Sequence, residues 1–152
     1  MNFTRRDAIK AGAALAAAAA LPSAIAQAKP TLRFAAVFSD KDIRADMVRR
    51  LARDIEGDFK LEPFFNATLF KQGTELVALQ RDNLELGNIA PQDFAKQLPA
   101  WSLLTSAYLF RDAGHLGAFW SSSLGAQYKK EAEDKLRVKI LGPTFFGTRQ
   151  VG

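Results

Sequence analysis

Three short apolar runs, at residues 31–38 (TLRFAAVF), 61–65 (LEPFF) and 84–89 (LELGNI), are separated by two segments with helical spacing. That alternation constrains the fold more than any other feature of the chain. The order β-α-β-α-β implies right-handed crossovers and a mainly parallel sheet with helices on its faces. The fold class predicted is therefore α/β. The third run stops in Ala90-Pro91-Gln92-Asp93, a polar turn ahead of Phe94. An open α/β sheet presents ligand-binding groups at such a place, the carboxyl edge of a strand.

The first helical segment opens on Ser39-Asp40-Lys41-Asp42, which has the spacing of a capping box. Ile43, Met47, Val48, Leu51 and Ile55 then share one helical face, with Arg44, Asp46, Arg49, Arg50, Arg53 and Asp54 on the other. Gly57 suits the left-handed residue that ends a helix. The arginines read as a solvated face rather than a docking patch. Pro63 places the second strand at a sheet edge or a bulge, and Asn66-Ala67-Thr68 turns the chain. Residues 72–81 (QGTELVALQR) form the second helix, which Asp82-Asn83 ends.

Beyond Phe94, AKQLPAW reads as a short helix or turn broken by Pro99. Residues 103–110 (LLTSAYLF) suit a strand or a buried connector. Residues 112–119 form a helix with Leu116 and Phe119 inward. Leu124, Tyr128, Ala132 and Leu136, four apart, mark a longer helix with Lys129/Glu133 and Glu131/Lys135 as charge pairs outside. Residues 138–141 return as a strand, Gly142-Pro143 turns, and residues 144–151 set out again.

The first 28 residues read as an export leader rather than as fold. Arg5 and Arg6 precede an almost unbroken apolar run from 11 to 21. Pro22 follows, and Ala26-Gln27-Ala28 has the small-x-small form of a cleavage site. The run is too short for a comfortable membrane span, so no stable membrane insertion is expected after cleavage. TRRDAIK resembles the twin-arginine signal. The leader contributes a net charge of two, so the whole-chain value of +5 falls to +3. That mild charge, without basic residues interleaved with aromatics, does not fit a nucleic-acid partner.

The chain has no cysteine and one histidine. Thiolate zinc sites and cysteine nucleophiles are excluded, no G-x-S-x-G elbow is present, and no phosphate-cradling glycine loop occurs. His115 reads as a core or capping residue. No metal or cofactor is expected. Arg149 stands apart, in the aromatic-rich segment Phe145-Phe146-Gly147-Thr148-Arg149-Gln150. A guanidinium fork takes a carboxylate through two parallel hydrogen bonds, and aromatic walls strengthen the contact by lowering the local dielectric. A salt-bridged arginine inside the fold is the structural alternative.

GTELVALQRDNLELG, PAW, SAYLFRDAGHL and LGPTFFGTRQVG together resemble the solute-binding subunit of tripartite ATP-independent periplasmic (TRAP) transporters, the DctP-like family. The similarity runs from about Leu32 to Gly152. AYLFRDAGHL is close to the family's P-Y-L-F-R-D-x-x-H, with Ala107 in place of Pro, and FFGTRQ is close to its G-x-R pattern. Asn83 stands where the family often has glycine.

The resemblance implies a periplasmic-binding-protein-like fold whose two lobes close on an organic acid. Residues 29–152 would be the first lobe, and the family's later L-R-x-P motif lies beyond this sequence, as expected of the first part of a longer protein. The G-x-R arginine maps to Arg149. Further ligand-binding candidates are Phe38 and Ser39 after the first strand, Gln72 at the start of the second helix, Gln92 and Asp93 in the loop after the third strand, and Phe146 as a pocket wall. Each has a plain alternative: Ser39 as a helix cap, Gln72 as surface, Asp93 as a cap, Phe146 as core.

The function expected is periplasmic capture of a carboxylate and its delivery to a TRAP membrane permease, with no chemistry performed. A ligand-binding partner of a periplasmic sensor would use the same cleft. An exported enzyme is the remaining alternative, and the scarcity of titratable pairs counts against it.

Overall fold

A computed structural model describes residues 28–147. Strand β1 (Thr31–Ala35) lies at the centre of a three-stranded sheet, between β2 (Lys60–Phe64) and β3 (Leu86–Gly87). Both pairings are parallel. Thr31 is in register with Lys60 and Ala35 with Phe64, while Phe34 is in register with Leu86 and Ala35 with Gly87. The α/β reading of the alternation is therefore correct. Pro63 sits on an edge strand, where its missing N–H costs least.

Helix α1 (Ile43–Asp54) crosses from β1 to β2. Its cap is Asp42, whose carboxylate accepts the Arg44 backbone N–H at 2.9 Å. Ser39 does not cap it: its Oγ accepts from Lys41 N and donates to Asp40 Oδ1, both at 3.2 Å, inside the preceding turn. The shorter Asx bond at Asp42 replaces the expected four-residue box. Gly57 is not left-handed, since the helix already ends at Ile55 through bonds to Leu51 and Arg53. The buried face is also rotated from the expected one. Ala45 and Val48 are buried against Phe34, Phe38 and Leu61, and the lack of bulk at Ala45 lets the helix approach closely. Ile43, Met47 and Leu51 remain exposed, at 79%, 49% and 36%.

Helix α2 (Glu75–Gln80) is shorter than its periodicity suggests, and Gln72 lies in the turn ahead of it rather than at its start. Gly73 makes that turn with φ +85. The helix is left through Asp82, at φ +56, next to Asn83. The third strand keeps only two residues, and after an irregular step at 88–90 the polar turn expected at 90–93 is the start of a helix. Pro91 occupies the first turn of helix α3 (Pro91–Ala95), a place that tolerates its absent N–H. Pro99 likewise starts a 3₁₀ segment (Pro99–Thr105) instead of breaking a helix. Residues 103–110 are neither strand nor buried connector, with Leu103 and Tyr108 exposed at 59% and 91%.

The largest core lies away from the sheet. Trp101, 2% exposed, stacks on Phe94 at 4.3 Å and meets Trp120 and Tyr128 at 6.0 and 5.5 Å. Helices α4 (Ala113–Ser121) and α5 (Ser123–Leu136) close around it, burying Trp120, Ala132 and Leu136. Asp112 caps α4 by accepting from the backbone N–H of His115, and the His115 ring packs edge-on to Phe110. Outside α5, Glu131 pairs with Lys135 as expected, whereas Lys130 rather than Lys129 completes the second pair, with Asp134. The chain from 138 to 147 alternates at first as a strand would, with Val138 buried and Lys139 exposed. It makes no ladder with any described strand, so the strand expected at 138–141 is not formed. Among the described residues, no helix is long and apolar enough to cross a membrane.

Candidate functional site

The carboxyl ends of β1 and β3 open into a cleft of about 1090 Å³. One wall comes from the loop after β1 and from α1: Phe38, Arg44, Met47 and Leu51. A second comes from Asn88 through Phe94, and a third from the extended chain after α5, including Thr144 and Phe146. Asn88 Nδ2 donates across the cleft to Thr144 Oγ1 at 3.5 Å. The topology explains the convergence: parallel strands point their carboxyl ends the same way, so the loops that follow gather on one side.

Of the residues expected at the site, Phe38, Gln72, Gln92, Asp93 and Phe146 all line this cleft. Ser39 does not, being held in the capping turn. Arg149 lies outside the described residues. Asp93 is a buried residue inside α3 and not a cap: its Oδ1 accepts from Lys96 Nζ at 2.7 Å. Gly73 packs directly on that pair. A Cβ there would sit 2.9 Å from Lys96 Nζ and 3.1 Å from Asp93 Oδ1. The acid at 93 is thus fixed by a local ion pair and a close backbone approach. Phe146 is 57% exposed and forms a wall rather than core.

Two further wall residues escaped the sequence reading. Glu75 is buried, and its Oε2 has no hydrogen-bond partner among the described residues; the buried indole Nε1 of Trp101, in the same cleft, has none either. The signal at Glu75 was its place one residue before the apolar Leu76 of a short helix. Arg44 was assigned to the solvent face of α1. The rotation that buries Ala45 brings Arg44 to the cleft, between the rings of Phe38 and Phe146 at 4.3 and 4.5 Å. Asp42 grips it through Nε at 2.8 Å and Nη2 at 2.5 Å. The Arg44 side chain, and then its backbone N–H, hold the Asp42 carboxyl down to a pKa of about 2, and Asp42 in turn raises that of Arg44. Two rings and a carboxylate in contact restrain a guanidinium, and Asp42 takes only part of its hydrogen-bonding edge.

A parallel α/β sheet with a cleft at its carboxyl edge, walled by an aromatic-stacked arginine and carboxamides, defines a small-molecule binding lobe. Residues 39–152 match the family model for bacterial extracellular solute-binding protein, family 7. The chain belongs to that family. Residues 2–22 match the twin-arginine translocation signal sequence, so the chain is exported to the periplasm by that route.

A solute-binding protein of Sulfitobacter sp. (strain NAS-14.1) is 30% identical over 98% of this chain and 46% of its own length. Among solved structures, a TRAP periplasmic solute-binding protein of Roseobacter denitrificans with bound 3-deoxy-D-manno-oct-2-ulosonic acid superposes with a TM-score of 0.72 at 30% identity. That match covers 75% of this chain and 38% of the other. A succinate-bound TRAP protein of Sulfurospirillum deleyianum gives 0.60 at 24% identity, over 71% and 36% of the two chains. The latter likeness speaks to the fold alone. The chain spans less than half the length of these relatives.

Proposed function

We propose that the chain is the ligand-gripping first lobe of a TRAP-type solute-binding protein, capturing an organic acid in the periplasm for a membrane permease. The observation that carries this reading is the cleft at the carboxyl edge of the sheet, in a chain of the family-7 solute-binding proteins. Its wall offers a guanidinium held by Asp42 and the carboxamides of Asn88 and Gln92. Groups of that kind suit a ligand bearing both a carboxylate and hydroxyls, since a guanidinium fork pairs with a carboxylate and carboxamides both donate to and accept from hydroxyls. The relative from R. denitrificans holds such a compound. Binding and release are its whole task, and no chemical step is assigned to any residue. The hinge closure of such proteins is driven by contacts made only when both lobes touch the ligand. Residues 1–28 are the removed leader, and the first lobe begins at 29.

Titration calorimetry of the complete two-lobed protein tests this directly. Galactonate, galacturonate, succinate and 3-deoxy-D-manno-oct-2-ulosonic acid form the panel, with galactose as the neutral control. Binding of an acid without binding of galactose is expected. Failure of every acid to bind overturns the reading. The sensor alternative differs in what the loaded protein docks to: neighbouring reading frames for small and large membrane subunits favour transport, and an adjacent kinase favours sensing.

A further inference from the structure

We propose that Arg44 grips the carboxylate of the ligand, using the edge of its guanidinium that Asp42 leaves open. The inference rests on the cleft being an organic-acid site. An arginine carries five N–H donors in one plane. Asp42 takes two of them, one from Nε to Oδ1 and one from Nη2 to Oδ2. The two on Nη1 and the second on Nη2 have no acceptor among the described residues. One N–H from each of Nη1 and Nη2 makes the end of the fork, where a carboxylate can accept two parallel hydrogen bonds.

The surroundings leave little else for that edge to do. Phe38 and Phe146 both pack against the guanidinium, with Cζ 4.3 and 4.5 Å from their ring centroids, and these rings come from opposite ends of the described chain, one after β1 and one after α5. Neither ring accepts a hydrogen bond in the guanidinium plane. The side chain is nonetheless 26% exposed and lines the cleft. With Nε and one Nη2 donor taken by Asp42, the end of the fork is the part left for a ligand. A plane held by two rings and a carboxylate has already lost its rotamer freedom, so a ligand need not pay for ordering it.

Charge in the cleft is compatible with an anion. Asp42 is balanced by Arg44, Asp93 by Lys96 at 2.7 Å and Glu85 by Arg33 at 2.7 Å, while Asp82 has Arg137 at 3.9 Å. Glu75 is buried without such a partner. Lys139, exposed on the same wall, has no ion-pair partner among the described residues and adds a positive charge. Asp42 lowers the net charge an arriving anion meets, so the contact depends on geometry more than on field strength.

The test compares the tightest-binding acid of galactonate, galacturonate and 3-deoxy-D-manno-oct-2-ulosonic acid with its own methyl ester, which adds one methyl group and lacks the charge. Wild type should prefer the acid. Arg44→Met should weaken acid binding at least tenfold and cut the acid-to-ester preference by a similar factor. Arg44→Lys, which keeps the charge and the pairing with Asp42 but not the fork, should retain only part of that preference, and it carries the test if the methionine variant fails to fold. Equal loss for acid and ester would assign Arg44 a purely structural role and overturn the proposal, as would unchanged acid affinity. Failure of the wild type to bind any acid strikes the broader reading instead and is seen before any variant is made.

Discussion

Glu85 takes three hydrogen bonds from Arg33 alone: from the backbone N–H at 2.8 Å, from Nε at 2.9 Å and from Nη2 at 2.7 Å. This carboxylate ties β1 to the residue just before β3, where the ladder itself offers only two register pairs. The Arg33 side chain is the main cause of a Glu85 pKa below the ordinary carboxylate range. A carboxyl depressed in the folded state stabilises above its unfolded value, roughly pH 4.3, and that contribution is lost as pH falls through the lower folded value. Glu85→Gln should therefore lower the urea midpoint at pH 7 and cease to matter in strong acid. The drop should be small, since the two side chains are 37% and 32% exposed. An equal effect at pH 7 and pH 2 would contradict the pairing.

Asp42 makes a sharper acid signature. Its pKa of about 2 sits well below the ordinary aspartate value of 3.8, chiefly through the side-chain bond from Arg44. Its stabilising effect is present above the unfolded value and fades between roughly pH 4 and pH 2. Carbon-detected NMR titration should place the Asp42 midpoint near the bottom of that window. Asp42→Asn keeps a capping acceptor and should remove this part of the acid transition, while Asp42→Ala should also lose the cap and melt lower. A measured midpoint close to that of a free aspartate would refute the Asp42–Arg44 grip.

Two glycines in neighbouring helices should respond with opposite signs. At Gly125, in the first turn of α5, an added Cβ would lie 2.3 Å from Phe119 O and 2.7 Å from Trp120 Cα. These are backbone atoms and cannot step aside, so Gly125→Ala should cost about 3 kcal/mol, the upper part of the usual overpacking range. At Gly117, inside α4, nothing lies within 4 Å of the added carbon. Gly117→Ala should stabilise by about 0.5–1 kcal/mol through helix propensity alone. Denaturant midpoints of the two variants check both signs.

Periodicity and punctuation made the parallel sheet legible, because strand-helix alternation leaves few topologies and Pro63 could sit only at an edge or a bulge. The rotation of α1 was not legible. Ile43, Met47 and Leu51 look like a core stripe, yet the small Ala45 lets the helix pack closest on another face, and side-chain bulk across an interface is a tertiary property. The same rotation hid Arg44, whose role depends on rings distant in sequence. Gln92 and Asp93 were placed at the right edge of the sheet but in the wrong local structure, since Pro91 starts a helix as readily as it ends a strand. Ser39 was lost to a better cap three residues on. The strand expected at 138–141 has the alternation of a strand but no ladder with a described partner, and alternation alone cannot supply one.

The approach to Arg149 passes through Gly147, whose φ of +91 is a conformation that only glycine adopts without strain. A Cβ there meets nothing within 4 Å, so substitution acts through the backbone and not through a clash. Gly147→Ala should redirect the chain that leads to the proposed ligand-binding arginine. Acid binding should then weaken several-fold while the denaturation midpoint stays nearly constant, because the neighbouring Phe145 and Phe146 are exposed and contribute little core. Arg149→Ala should go further and weaken binding at least tenfold, a loss of about 1.4 kcal/mol or more. Calorimetry on both variants separates the possibilities. A tenfold loss at 149 with a smaller loss at 147 fits an arginine presented by its turn; unchanged affinity in Arg149→Ala removes that residue from the site and leaves the anion to Arg44.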